Sequence, residues 1–207
     1  RIANGDPGII APIPGGSSHF LLPITTSFEP WSSTVAIVNL APTKTVVRVS
    51  LRAEDGVLLA EIERNLEGNS QWIASNMHRE LGVNSVRGSL TVQSLDGTPL
   101  AAICRHTETV TREDVFQQPF DLRRTGKTFY LPYWFAENLR YSSVVLNNPN
   151  SQPASVSLQV FSPDGVELNQ YSVQIPALGS AIIPDWLFLA RQNETPSYGT
   201  IHGASSL

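Results

Sequence analysis

Shifted against itself by 109 positions, the chain lays Leu22-Pro23 on Leu131-Pro132, Asn39 on Asn148 and Asp55-Gly56 on Asp164-Gly165. Between those anchors Val47, Val49 and Leu51 fall on Val156, Leu158 and Val160. A repeat at this spacing restricts the fold to two copies of one module of about 100 residues, each with its own core. The apolar fraction, 41%, is ordinary for globular domains and supplies both cores.

Each copy reads as antiparallel β-structure. Val47, Val49 and Leu51 point one way and Arg48, Ser50 and Arg52 the other, the period of a strand with one wet face. Ala154 to Phe161 repeats that alternation with Ser155, Ser157 and Gln159 outside. Asp55-Gly56, Asp96-Gly97 and Asp164-Gly165 carry hairpin chemistry, since Asp and Gly tolerate positive φ. Ser75 to Leu81 reads as a short helix with Ser75 as N-cap and Gly82 as its left-handed stop. Pro184 to Ala190 is its counterpart. About seven short strands at such spacing make an all-β fold of two tandem Ig-like antiparallel sandwiches.

The boundaries are an N-terminal extension over 1–18, module one over 19–106, a polar connector over 107–128 and module two over 129–207. Gly15-Gly16-Ser17-Ser18 reads as a flexible joint. Val115, Phe116 and Phe120 suggest that the connector packs as a partly ordered link. Module two reads one strand short: Gly199-Thr200-Ile201 matches Gly88-Ser89-Leu90, but nothing after it matches Leu100 to Cys104.

The modules resemble a tandem Ig-like β-sandwich repeat of bacterial secreted and cell-surface proteins. The resemblance rests on Thr34 to Asn39 with Pro42, Val47 to Leu51, Asp55-Gly56, Ser75 to Leu81, Gly88 to Val92 and Pro99 to Arg105. It implies a secreted or surface location and a role as a spacer, adhesive stalk or shell component. These are turn and core positions, so they carry fold rather than chemistry.

Composition excludes several classes. A net charge of -4 with 15% charged residues leaves no basic footprint for nucleic acid or anionic lipid. No run approaches the ~18 apolar residues of a membrane span. The single cysteine, Cys104, lies in an apolar run and reads as a buried, unreactive thiol. His19, His78, His106 and His202 lack metal-site spacing, and no cofactor motif occurs. Glu61 and Glu63 share a strand face and read as a solvated pair beside Arg64. Ser32-Ser33 and Ser142-Ser143 read as strand-entry hydroxyls. No catalytic constellation appears, so the expectation is a non-enzymatic protein.

Three sets of residues remain as candidates. Ile9, Ile10, Ala11 and Ile13 form an apolar segment suited to an added strand. Its prolines are tolerated where the missing N–H faces outward. Such a strand would complete module two, from the same chain, a neighbour or further sequence; a neighbour would give a self-associating homopolymer. Tyr133, Trp134 and Phe135 cannot all be buried by alternation, which points to a contact surface for a glycan or cell-surface partner. That supports an alternative role as an adhesin or carbohydrate-binding stalk. Asn193-Glu194-Thr195 has the form of a glycan sequon, with Pro196 directly after it lowering its use. The start at Arg1 fits a removed leader or an excised fragment.

Overall fold

A computed structural model of the chain describes residues 16–112, 114–117, 119–137, 140–141, 143–183 and 198–207, side chains at 124, 132–137 and 140–141 excepted. It divides into two compact units: residues up to 51 with 60–123, and residues 52–59 with 124–207. Both are built of antiparallel sheets, as the alternating patterns require.

The strands of the first unit are β1 (His19–Thr26), β2 (Trp31–Asn39), β3 (Thr45–Ala53), β4 (Leu58–Leu66), β5 (Gln71–Ala74), β6 (Arg87–Ser94), β7 (Leu100–Glu108), β8 (Asp114–Gln117) and β9 (Phe120–Asp121). One sheet has the order β4-β3-β6-β1-β9 and the other β5-β2-β7-β8. Phe20, Leu22, Val35, Ile37, Val49, Leu51, Leu90 and Leu100 form a core from which water is fully excluded. The second unit holds β10 (Thr128–Glu137), β11 (Arg140–Tyr141), β12 (Val144–Asn147), β13 (Ala154–Phe161), β14 (Glu167–Ile175), β15 (Ser180–Ile183) and β16 (Tyr198–Ser205). Its sheets run β11-β10-β16-β13-β14 and β12-β15.

The repeat in the sequence is a repeat of hydrogen bonds. The Asn39 side-chain amide donates to the carbonyls of Thr43 (2.8 Å), Leu66 (3.3 Å) and Glu67 (3.1 Å). Its Oδ1 accepts the N–H of Ala41 at 2.9 Å. Asn148, buried like Asn39, donates to Gln152, Ile175 and Pro176 and accepts from Asn150, every partner displaced by the same interval. A buried Asn fits here because its side-chain amide and oxygen both find backbone partners in the loop it lies beneath. The Asp-Gly turns behave alike, with Gly56, Gly97 and Gly165 at φ +88, +80 and +80. The β1–β6 and β10–β16 ladders both break register at a proline, after Leu22 and after Leu131. Proline has no N–H to form that rung.

Several details differ from the sequence reading. The helix α1 spans Met77–Glu80 and is capped by Asn76, not Ser75: Asn76 Oδ1 accepts the Arg79 N–H at 3.0 Å. Asn ranks beside Ser as a cap, and local spacing did not separate them. Gly82 takes φ +71, as a stop requires. Ser17 is no part of a loose joint. Its backbone exchanges hydrogen bonds with Leu100 at 3.0 and 2.9 Å, and its hydroxyl donates to Asp121 at 2.9 Å. The connector adds β8 to β7 and β9 to β1. It is ordered by backbone pairing rather than by aromatic packing, since Phe116 and Phe120 are exposed.

Candidate functional site

Strand β2 is paired on both edges, with β5 on one side and with β7 over nine residues on the other. Its counterpart β12 meets β15 in the same register: Val144 faces Ile183 and Leu146 faces Ala181, as Val35 faces Ala74 and Ile37 faces Trp72. Among the described residues nothing stands where β7 would be. Among the described residues, then, β12 is paired on one edge only, where β2 is paired on both.

Hydrogen-bond parity identifies the groups on its other edge. The N–H of Asn148 goes to Gly179 at 2.9 Å, on the β15 side. In an antiparallel ladder successive residues face opposite edges, so Val145 and Asn147 turn their N–H and C=O groups outward. Asn147 Oδ1 is also buried without a donor. Such an edge is a template for another extended chain.

Core exposure follows the same line. Val35 and Ile37 are at 0%, while Val144 and Leu146 are at 6% and 9%. Phe20 and Leu22 are fully enclosed, whereas Phe129 and Leu131 are half-buried. Deeper positions do not differ: Leu158, Val160 and Ile201 are sealed like Val49, Leu51 and Leu90. Val144 and Leu146 both belong to β12, the counterpart of the strand that β7 borders in the first unit. The two units also differ at Gly203, the counterpart of Val92. A Cβ at Gly203 would lie 2.0 Å from the Phe129 ring, so that ring occupies the space a side chain would take.

The residues read from the sequence are placed as follows. Ile9, Ile10, Ala11, Ile13 and Asn193 lie outside the described residues, as do Trp186 and the counterpart helix. Trp134 and Phe135 pair in β10 with Gly199 and Tyr198, and Tyr133 lies in the same strand; their side chains are not described. The neighbouring Tyr130 is exposed and meets His202 edge-on at 4.7 Å. Glu61 and Glu63 do lie on one face, but their cation is Arg48, at 3.5 and 2.6 Å. Arg64 instead bridges Glu80 at 2.6 Å and covers the Trp72 ring at 4.5 Å.

One polar cluster was not anticipated. His106 and Cys104 are two apart on β7 and face inward, and Ser33 lies opposite His106. His106 Nδ1 is 3.0 Å from Ser33 Oγ, and its Nε2 is 3.7 Å from Cys104 Sγ. The Ser33 hydroxyl also donates to Thr26 O and accepts the Thr26 N–H. Inward alternation along β7 was the signal for it. Burial pushes the Cys104 thiol up to about 12, which makes it inert. His78 is fully buried with neither ring nitrogen bonded, and burial, with His106 nearby, pushes it down to about 4. Ser33 is buried at 0%, so this is core polarity and not an accessible nucleophile. Among the described residues no three His, Cys, Asp or Glu side chains group to hold a metal ion, and no helix is long and apolar enough to cross a membrane.

Comparison with protein-family models, with curated proteins and with solved structures finds no match.

Proposed function

We propose that the chain is a non-enzymatic structural subunit of an extracellular or cell-surface assembly. In this reading the second sandwich is completed by an extended segment from a second copy, laid along β12. Repeated head to tail, the contact is heterologous and does not close, which gives filaments. The observation that supports this reading is that, among the described residues, β12 is paired on one edge only, beside core residues slightly more exposed than their counterparts in the first unit. An added strand answers both needs: its backbone pairs with the edge and its alternate side chains fill the core. The apolar Ile9 to Ile13 segment is the donor. Deleting residues 1–16 and following particle size by electron microscopy and sedimentation tests it. Loss of polymers on deletion is expected. Assembly that survives the deletion, or an intact protein that is monomeric throughout, overturns the reading.

A further inference from the structure

The open edge also dictates which way its occupant runs. In the first unit β7 is antiparallel to β2, and its inward side chains are Leu100, Ala102 and Cys104, opposite Asn39, Ile37 and Val35. The equivalent places on β12 lie opposite Asn148, Leu146 and Val144. They call for a large, a small and a medium apolar side chain at alternate positions. Residues 9–13 read Ile9-Ile10-Ala11-Pro12-Ile13, with isoleucines flanking an alanine at the same spacing. This pattern is nearly the same in either direction, so side-chain fit does not fix the orientation.

Backbone parity does. Leu40 takes the Pro99 carbonyl at 3.0 Å, while Leu100 bonds Ser17 on the far side. Along β7, therefore, inward residues aim their N–H away from β2, and the residues between them pair with it. An antiparallel occupant with Ile9, Ala11 and Ile13 inward would pair to β12 through Ile10, Pro12 and Pro14. Two of those three have no N–H. Turning the strand end for end, with the same side chains inward, exchanges the edge each N–H faces. In a parallel occupant Ala11 and its inward neighbours pair with β12, and both prolines point away. The prolines then face the new edge and block further strand addition there.

We propose that β12 accepts residues 9–13 of a second copy in parallel orientation, with Ile9 beside Val144, Ala11 beside Leu146 and Ile13 beside Asn148. This rests on the strand-addition reading above and adds the donor's direction and register. It mixes a parallel pair into an antiparallel unit and differs from the first unit's own solution.

Paired cysteines in the full chain read the direction from outward positions, leaving the core untouched. Ile10 neighbours Val145 in the parallel register and Asn147 in the antiparallel one. Oxidation of Ile10→Cys with Val145→Cys is expected to give at least ten times more cross-linked chain than Ile10→Cys with Asn147→Cys, as links between chains on a non-reducing gel. The reverse preference overturns the parallel register and leaves strand addition standing. Links confined within single chains overturn the second copy as donor. Equal, background linking of both pairs overturns the proposal. A second measurement does not depend on a variant folding. A synthetic peptide of residues 7–15 is added during assembly, N-methylated at either Ile10 or Ala11. The Ala11-methylated peptide should lose its ability to compete, and the Ile10-methylated peptide should keep it within about twofold. The opposite pattern overturns the parallel register.

Discussion

The two sandwiches share turns, registers and a buried-asparagine network, yet Ile37 is at 0% exposure and its counterpart Leu146, also in a core, at 9%. The difference lies in one neighbour: β2 has β7 beside it, and among the described residues β12 has no such strand. What that strand supplies is the cover over one side of the core. Ile37→Ala should cost about 3–4 kcal/mol in the first unit, a full core truncation. Leu146→Ala should cost about half as much while the edge is open, because its site is less enclosed, and the two costs should converge once an added strand covers β12. Amide exchange resolved by unit measures both. Equal costs with the edge open would show that β12 is already covered.

The asparagines should behave in the opposite way. Asn39→Ala and Asn148→Ala each remove a buried side chain that both donates to and accepts from its loop, at about 1–3 kcal/mol for leaving a buried network unmade. Because the backbone partners correspond one for one, the two costs should be similar, Asn148 adding only a bond from the Asn150 side chain at 3.1 Å. A much smaller cost for Asn148→Ala would mean that the second copy keeps the geometry without depending on it.

Acid should separate the units further. His78, His106 and His19 are all held below their ordinary value of 6.5, chiefly by burial. A histidine kept neutral in the folded unit takes up a proton on unfolding. Its contribution is thus fully present above pH 6.5 and is lost as pH falls toward the folded value, about 4 for His78. For His78 alone the loss across that window is on the order of 3 kcal/mol. Hydrogen exchange from pH 7 to pH 4.5 should show the first unit loosening, and His78→Phe should remove about one proton from the slope. An unchanged slope in that variant would mean that another group carries the acid response.

The legible part of this fold was whatever is written locally. Alternation from Thr45 to Arg52, the Asp-Gly turns and the recurring Asn39 and Asn148 are each decided within a few residues of chain. The illegible part depends on partners distant in sequence. Ser33 meets His106 only because β2 pairs with β7, and Arg48 rather than Arg64 takes Glu63 because β3 and β4 face one another. The order at Ser17 comes from Leu100 and Asp121, more than eighty residues away. The open edge falls between these cases. It was visible as a missing match in the repeat, but which of its groups face outward needed the observed ladder.

The smallest contrast is at Gly203 and Val92, where the two cores solve the same packing problem in reverse. Phe20 stands in a core beside Val92, both at 0%. Phe129 lies over Gly203, with ring atoms 2.0 to 2.5 Å from where a Cβ would be. Gly203→Ala must displace that ring, a small overpacking cost of about 1–2 kcal/mol. The ring has somewhere to go if Phe129 borders the side toward β12 and that side is uncovered, since it is only half-buried. The cost should therefore be near the lower figure in the open unit and should rise when a strand is added along β12. Denaturant midpoints with and without the residue 7–15 peptide measure the difference. A cost that is independent of the peptide would show that Phe129 does not border the uncovered side, which would place the gap in the second core elsewhere.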